Sequence, residues 1–443
     1  MAKIYITSLG PIKKFEMEVK KINLFIGEQA TGKSTISKAV FFFRTLRDIL
    51  VEYLYNISLD GKTDMDDTFP KTTRQEIENY FIDLFGYRWN LPETLELRYE
   101  YKEGYWTVVA LQKRNGKNYL SINFSAEFEK DMKAYEGQAY DFYLSNKESS
   151  TNFSFATTER LRMHQELFRK ISGMLNDDMQ CYYIPAGRSL MTLMTNQKTK
   201  LDYNTMDLIN RKFMQFIESI QSKFDMGISQ AYKYYPVAER KFDISKVVES
   251  LVNGLKGDYL YAPGKEFLQL NNSNEKIPIN FTSSGQQEVL WLLNQLYILM
   301  LRDEKAFIVI EEPEAHLYPT LQKQVIEFII QFANVTGSSV IITTHSPYVL
   351  TCMNNLLYAG RLQSDKTKDR VEKIIGKGKL VKEGELFACK LIKSKEQTVF
   401  INLIDKESHE IITESIDEIS DTVNKAYTEL FYLEEEDEDR EKI

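Results

Sequence analysis

One stretch near the start of the chain decides the fold, residues 27–34: Gly27-Glu28-Gln29-Ala30-Thr31-Gly32-Lys33-Ser34. It fits the pattern G-x-x-x-x-G-K-[ST], follows the apolar run 22–26, and precedes apolar residues spaced three and four apart as far as about Tyr55. The order strand, glycine-rich loop, helix forms an anion site from backbone N–H groups and the helix N-terminus. We predict that Lys33 reaches the β- and γ-phosphates of a nucleotide and that the Ser34 hydroxyl binds Mg²⁺.

Two adjacent carboxylates, Glu311 and Glu312, follow a second apolar run at residues 306–310. Open α/β sheets place their ligands at the carboxyl ends of parallel strands, so we expect both side chains to lie near the phosphate loop. In a phosphate-hydrolysing site Glu311 would hold Mg²⁺, directly or through water, and Glu312 would orient or deprotonate the attacking water. Acidic residues at strand ends are also common on protein surfaces. The pair therefore indicates a phosphate site only in combination with the glycine-rich loop at 27–34.

A third apolar run, residues 339–344, ends in His345. At the end of a parallel strand this imidazole would lie at the same sheet edge as the two carboxylates. We predict that it hydrogen-bonds the γ-phosphate or the attacking water.

A helix start rich in small hydroxyl residues precedes the apolar helix predicted from 288 to 301. It consists of Ser283, Ser284, Gly285 and Gln286. Such a start can bind phosphate at its N–H groups, but in isolation a helix N-cap is the commoner interpretation of such a sequence. The two interpretations stay open on the sequence alone.

Composition places the chain among globular proteins. It has 443 residues, is 43% hydrophobic, and carries 56 basic against 64 acidic residues, a net charge of −8. That charge excludes coating of DNA by bulk attraction but not a local basic patch. Its three cysteines lie far apart, which predicts neither a disulfide framework nor a zinc site. No apolar run approaches the roughly 18 residues of a membrane span, so we expect a soluble, cytoplasmic protein without a membrane partner.

The chain divides into two predicted regions. We expect residues 1–360 to form an α/β head with an antiparallel β subdomain and helical insertions at about 45–90 and 126–255. The antiparallel part is a three-strand meander at 95–101, 105–111 and 119–124. Residues 361–443 form a small α+β C-terminal module with two strands, a helix at 414–433 and an acidic tail at 433–439.

The order of these motifs resembles that of ABC-type ATPases, and in particular the RecF/SMC/OLD-like group. Residues 27–34 resemble the Walker A loop, 282–286 (TSSGQ) the signature, Glu311 and Glu312 the Walker B end, and His345 the switch histidine. The phrase EEPEAHLYP at 311–319 and the segment YIPAGRS at 183–189 are similar to OLD-family and related bacterial defence ATPases. The chain departs from the pattern at Glu311, where many members carry Asp, and at Ser284, where they carry Gly.

The resemblance implies an ATPase with ATP and Mg²⁺ as cofactors. The residues implied to bind ATP are Gly27, Gln29, Ala30, Thr31, Gly32, Lys33, Ser34 and Thr35. It also implies a homodimer or a larger ring of dimers. ATP would then lie between Lys33 of one subunit and Ser283, Ser284, Gly285 and Gln286 of the other.

The resemblance also suggests a biological role. OLD nucleases carry a Toprim domain with a strand-end DxD, whereas in the segment beyond Pro347 the only DxD, Asp437 and Asp439, lies in the acidic tail. The C-terminal layout resembles stand-alone ATPase subunits of anti-phage systems, PARIS-like and more distantly Septu-like, which act with a separately encoded nuclease or Toprim-type effector. The expected function is therefore that of a sensor or regulator of such an effector.

A RecF-like, DNA-binding repair or maintenance ATPase is the alternative. It requires basic residues along one face. The candidates are Lys198 and Lys200, and a cluster formed by Lys366, Lys368, Arg370, Lys373, Lys377 and Lys379. Nucleic acid is thus a possible partner, although charge runs are usually solvated faces.

Overall fold

The structure is a computed structural model that describes residues 1–62, 71–86, 92–114, 117–147, 153–194, 206–237, 239–271, 273, 275–394 and 397–412, with Lys425 and Thr428. Its strands are β1 (Lys3–Leu9), β2 (Ile12–Glu18), β3 (Ile22–Gly27), β4 (Glu96–Lys102), β5 (Tyr105–Arg114), β6 (Lys117–Phe124), β7 (Gln180–Ile184), β8 (Gly257–Ala262), β9 (Lys265–Leu270), β10 (Lys276–Pro278), β11 (Ala306–Glu311), β12 (Ser339–Thr344), β13 (Leu386–Lys393) and β14 (Thr398–Asn402). Its helices are α1 (Lys33–Asp60), α2 (Lys71–Phe85), α3 (Ala126–Lys147), α4 (Phe153–Leu175), α5 (Arg188–Met194), α6 (Leu208–Gln221), α7 (Ile244–Leu255), α8 (Ser284–Leu301), α9 (Pro319–Thr336), α10 (Pro347–Leu362) and α11 (Lys368–Ile375).

A central sheet positions the site. Its described strands lie in the order β14-β13-β3-β12-β11-β7, all parallel except β14, which pairs antiparallel with β13. Side chains alternate between two cores. Leu24 and Ile308 pack with residues of α8 and α9, whereas Phe25 and Phe307 pack with residues of α1. Because both faces are covered, β3, β11 and β12 are buried along almost their whole length.

A second sheet, in the order β2-β1-β4-β5-β6, is antiparallel throughout. Strands β4 to β6 are the predicted three-strand meander, and the structure confirms it. The sheet packs on α1, where Tyr99 stacks on Phe43 at 5.3 Å between ring centroids and the Tyr101 hydroxyl donates to the Phe43 carbonyl at 2.9 Å. The predicted α/β class with an antiparallel β subdomain is therefore confirmed. A third antiparallel sheet, β10-β9-β8, was not predicted.

The C-terminal strands belong to the central sheet. β13 pairs parallel with β3 from Leu386↔Ile22 to Leu391↔Gly27. Strands β13 and β14, which lie inside the C-terminal module predicted from 361, thus complete the sheet that carries the phosphate loop. The module and its boundary at 360 stay predictions. The predicted helix at 414–433 lies outside the described residues apart from Lys425 and Thr428, and the acidic tail lies wholly outside them.

The boundaries of the two predicted helical insertions stay predictions. Helix α1 continues without a break from Lys33 to Asp60, across the start of the insertion predicted at about 45–90. The insertion predicted at 126–255 contains β7, which pairs with β11 in the central sheet. Within the described part of the chain, no helix combines the length and apolar character that crossing a membrane requires.

Candidate nucleotide site

The loop between β3 and α1 closes on the Lys33 side chain. The Lys33 ammonium donates to the carbonyls of Gly27 and Glu28, at 2.8 Å each, and the Thr31 hydroxyl donates to the Glu28 carbonyl at 2.8 Å. Lys33 itself lies at the first position of α1, after Gly32 as N-cap. Two carbonyls of the loop thus hold the Lys33 ammonium at the position where this loop pattern places a lysine that contacts phosphate.

Two glycines make this path possible. Gly32 has a φ of +101°, a conformation that L side chains rarely adopt, and a Cβ there would lie 2.9 Å from Ile12 Cγ1. A Cβ on Gly27 would lie 2.2 Å from the carbonyl oxygen of Leu391 in β13. The loop thus needs glycine for both backbone conformation and space. This is the physical reason that the pattern G-x-x-x-x-G-K-[ST] has glycine at these two positions.

The outer surface of the loop faces solvent. Gln29, Ala30 and Ser34 are exposed, Thr35 is half-buried, and Thr31 is buried. Ala30 has a φ of +59°, which adds a left-handed residue to the loop. Ser34 stands in the first turn of α1, where its hydroxyl is accessible for a ligand at the helix N-terminus.

Burial and charge act in opposite directions on Lys33. Burial lowers the pKa of the Lys33 ammonium, while the carboxylates of Glu312, Glu314 and Glu311 favour its protonated form. Three acids, at the end of β11 and in the turn that follows it, therefore lie close enough to Lys33 to act on its charge. This is the convergence that the parallel strand order predicts.

Glu311 is held by two donors. The Tyr183 hydroxyl donates to Oε1 at 2.8 Å and the Ala186 N–H to Oε2 at 3.3 Å. Burial and the Glu311 carboxylate raise the pKa of Tyr183 well above its ordinary value, so the phenol keeps its proton and donates. Both carboxylate oxygens retain lone pairs for a metal-bound water.

Glu312 and His345 lie in contact. His345 Nε2 is 3.2 Å from Glu312 Oε1, and the side chains are 30% and 37% exposed respectively. Glu312 has a φ of +43°, and its N–H donates to the Thr343 carbonyl of β12 at 2.9 Å. A carboxylate beside an imidazole, both reachable by water, is an arrangement that can orient and deprotonate a water molecule.

Glu314 supports the histidine, a role that the sequence did not reveal. Its Oε1 accepts from the Thr344 hydroxyl at 2.6 Å and from the His345 N–H at 2.8 Å. Its Oε2 is buried and has no hydrogen-bond partner among the described residues. In the sequence, only the position of Glu314 within the phrase EEPEAHLYP at 311–319 indicated a role for it.

Arg188 was also missed as a site residue, although it lies in the quoted YIPAGRS segment. Its guanidinium is fully buried and donates to the carbonyls of Glu311 at 2.6 Å and Glu312 at 2.8 Å. It pairs with the buried Glu288 of α8, with 3.4 Å between Nε and Oε2. One side chain thus holds the backbone carbonyls of both Glu311 and Glu312.

The helix start at 283–286 forms a capping box. The Ser283 hydroxyl caps α8 at the Gln286 N–H, and Gln286 Oε1 accepts from the Ser283 N–H at 3.0 Å. Gln286 Nε2 also donates to the Leu255 carbonyl at 2.8 Å, so this amide is used within its own chain. The N-cap interpretation therefore holds for Ser283, with Gln286 as its capping-box partner, and Ser283 and Ser284 are exposed at the helix N-terminus.

Gly285 permits close packing of this helix start. A Cβ there would lie 2.8 Å from the His316 carbonyl, which follows the Glu312 turn. Among the described residues, no hydrogen bond joins 283–286 to the loop 27–34. The structure thus brings together Lys33, Glu311, Glu312 and His345, and places the signature residues on a neighbouring helix end.

The donor set fits a nucleotide with Mg²⁺. Loop, ammonium and helix N-terminus suit phosphate, while the Ser34 hydroxyl and the Glu311 carboxylate are the hard oxygen ligands that Mg²⁺ prefers. No group of three or more His, Cys, Asp or Glu in the described chain could hold a metal by itself.

These features define a P-loop nucleotide-binding protein. A family model described as an AAA ATPase domain matches residues 1–350, and the chain belongs to that ATPase family. No curated protein matches the chain.

Solved structures of SMC heads are similar at low identity. An SMC head bound to the C-winged helix domain of ScpA is 12% identical, with a TM-score of 0.40 over 92% of this chain and 98% of that one. An SMC head from Thermotoga maritima is 10% identical, with a TM-score of 0.37 over 90% and 97%. A Pyrococcus furiosus complex of an Smc head and the C-terminal domain of ScpA is 11% identical, with a TM-score of 0.36 over 95% and 100%.

Proposed function

We propose that this protein is an ABC-type ATPase that hydrolyses ATP with Glu312 as the base. The observation that carries the proposal is the contact of Glu312 with His345, at 3.2 Å, at the sheet edge where Lys33 lies. Lys33 binds the β- and γ-phosphates, Glu312 takes a proton from the attacking water, and His345 orients that water or the γ-phosphate. Ser34 and Glu311 would hold Mg²⁺, directly or through water, and the ion would supply neutralisation of phosphate charge.

The test separates binding from turnover. We expect Glu312→Gln to bind ATP with wild-type affinity in calorimetry and to lose about 10²-fold or more of kcat, the usual contribution of a general base. A matched control is Glu304→Gln, which lies before β11 and hydrogen-bonds Tyr182 rather than the site. Wild-type phosphate release by the Glu312→Gln protein would overturn the assignment of the base.

We further propose that ATP is sandwiched between two copies of the chain. Support comes from the exposed N-terminus of α8, whose Ser283 and Ser284 make no hydrogen bond to their own phosphate loop among the described residues. Each site would need Lys33 from one subunit and Ser283 from the other. A homodimer or a ring of dimers would follow.

Subunit mixing tests this arrangement. Lys33→Ala and Ser283→Arg should each be inactive alone. In a one-to-one mixture of exchanging dimers about half the molecules are heterodimers with one intact site of two, so about a quarter of wild-type activity returns. No recovery despite demonstrated subunit exchange would contradict the shared site.

The biological role we propose is that of a cytoplasmic sensor or regulator in an anti-phage defence complex that controls a separately encoded nuclease or Toprim-type effector. It rests on the resemblance of EEPEAHLYP and YIPAGRS to defence ATPases, an argument of family rather than of site. Tagged Glu312→Gln protein, purified with ATP from its host and treated with nuclease, should retain a stoichiometric nuclease-like protein. Recovery of DNA without a protein partner would favour the alternative below.

A second candidate function, a nucleic-acid-binding ATPase of RecF type, is favoured by one cleft. The cleft has a volume of about 980 Å³ and is lined by nine Lys and Arg side chains against two acids. Four of the lining residues come from the predicted cluster, Lys368, Lys373, Lys377 and Lys379, whereas Lys366 and Arg370 do not line it. The other basic candidates, Lys198 and Lys200, lie outside the described residues.

Charge reversal tests the cleft. The double substitution Lys373→Glu and Lys377→Glu should weaken binding of a labelled DNA duplex and lower its salt dependence. Lys130→Glu with Lys133→Glu, an equal charge change on the exposed face of α3, should have little effect. Equal affinity of both double variants for the duplex would exclude the cleft as a DNA-binding site.

A further inference from the structure

Arg188 connects three separate parts of the fold. Its NH1 donates to the Pro185 carbonyl at 2.8 Å and the Glu311 carbonyl at 2.6 Å, its NH2 to the Glu312 carbonyl at 2.8 Å, and its Nε to the Glu288 carbonyl at 2.9 Å. The turn after β7, helix α8 and the end of β11 therefore meet at one guanidinium. We call the contacts of Arg188 with Glu288, Glu311 and Glu312 the junction. Only arginine offers a planar set of five donors for such a junction.

Glu288 anchors this junction in α8. Its Oε2 accepts from the Arg188 N–H and its Oε1 from the Ser189 N–H, at 3.0 Å each. The two charged side chains, Arg188 and Glu288, are 0% and 1% exposed. Glu288 stands five residues after the Ser283 N-cap, in the same rigid helix. A displacement of the exposed helix start therefore moves Glu288 and, with it, Arg188.

The other end of the junction is a strained backbone. Glu312 has a φ of +43°, which a residue with a side chain rarely adopts and which persists only when neighbours impose it. Two contacts impose it here. The Glu312 N–H donates to the Thr343 carbonyl at 2.9 Å, and the Glu312 carbonyl accepts from Arg188. The carboxylate is thereby directed to His345.

We propose that Arg188 is a positioning residue that links the signature helix α8 to the backbone of Glu312. Contact of the exposed α8 start with a nucleotide is then transmitted through Glu288 and Arg188 to the carboxylate that acts on water. The inference rests on the proposed function for the role of Glu312. The inference goes beyond the proposed function because it names how nucleotide contact at the start of α8 controls the position of the Glu312 carboxylate.

The test compares two variants of the junction with one control. Arg188→Lys keeps the charge but not the planar set of donors, and Glu288→Gln leaves Arg188 in place without its partner charge. Arg44→Lys is the control, because Arg44 is another buried arginine in a bidentate pair, with Asp177 at 2.6 and 2.7 Å, and makes no hydrogen bond to Glu312. It reports the general effect of weakening a buried ion pair.

Kinetics give the first readout. We expect Arg188→Lys and Glu288→Gln to lower kcat about tenfold or more while the ATP Kd changes by less than about threefold, since a displaced base loses part of a 10²- to 10⁴-fold contribution. Arg44→Lys should lower the thermal midpoint but keep kcat when assayed well below that midpoint. Equal loss of kcat in the control, or none in the junction variants, would overturn the proposal.

Hydrogen exchange gives a readout that does not depend on turnover. With ATP bound, amides of residues 311–316 should exchange faster in Arg188→Lys than in the wild type, and Arg44→Lys should match the wild type there. Unchanged exchange in Arg188→Lys would overturn the link. If instead the wild-type chain shows no more turnover than Glu312→Gln, the proposed function fails, and the exchange comparison still decides whether Arg188 holds the Glu312 backbone.

Discussion

Replacing Gly27 with alanine probes the contact between the C-terminal strand β13 and the phosphate loop. The new Cβ would lie 2.2 Å from the Leu391 carbonyl oxygen, whereas a carbon–oxygen contact needs about 3.3 Å. About 1 Å of displacement is therefore required. The obstructing atom is backbone in a strand paired with β3, so it cannot turn aside as a flexible side chain would.

The cost follows from these contacts. Overpacking of this kind costs about 1–3 kcal/mol, and a lost ladder hydrogen bond adds about 1 kcal/mol. We expect Gly27→Ala to lower the free energy of unfolding by about 2–4 kcal/mol. For a domain of a few hundred residues this corresponds to a fall in Tm of roughly 5–10 °C. ATP affinity should fall as well, because Gly27 supplies a carbonyl that holds Lys33.

Thermal unfolding followed by circular dichroism, with calorimetric titration of ATP, measures both effects. The control is Gly137→Ala, at an exposed position inside α3 where a Cβ meets nothing within 4 Å. That change should stabilise the protein by about 0.5–1 kcal/mol, since glycine in a helix is unfavourable. Wild-type Tm and ATP affinity in Gly27→Ala would show that β13 does not lie against the loop.

Two further predictions concern single side chains. Lys33→Ala should abolish measurable ATP binding in calorimetry, because the Lys33 ammonium is the group that reaches the β- and γ-phosphates. The far-ultraviolet circular dichroism spectrum should not change, and unchanged nucleotide affinity would refute the prediction. Burial raises the pKa of Cys181, Cys352 and Cys389 to about 12 each, so the thiolate fraction is small at pH 8. A thiol reagent at that pH should react slowly with the native protein and rapidly after unfolding, with reactivity rising as the pH approaches 12; fast labelling of the native chain at pH 8 would contradict the burial.

The sequence predicts the parts of the site that are local in the chain. Gly27, Lys33 and Ser34 follow from one pattern, and the strands ending at Glu311 and His345 follow from apolar runs. Parallel pairing then brings their ends to one edge. That Glu312 and His345 lie within 3.2 Å agrees with this expectation, while their chemical roles stay predictions.

What the sequence could not predict depends on contacts between distant residues. Arg188 meets Glu311 and Glu312 across more than a hundred residues, and nothing in its own neighbourhood indicates those partners. β13 lies beside β3 although hundreds of residues separate them, and its amphipathic pattern fits a separate module equally well. The capping box of Ser283 and Gln286 was predictable, but the bond from Gln286 to Leu255 was not.

The most direct test of the central claim is steady-state phosphate release by purified wild-type and Glu312→Gln protein, with ATP affinity measured on the same samples. We predict wild-type turnover that depends on Mg²⁺, equal ATP affinity in both proteins, and about 10²-fold or more loss of kcat in the variant. Equal turnover in the two proteins would contradict an ATPase whose water is activated by Glu312 beside His345.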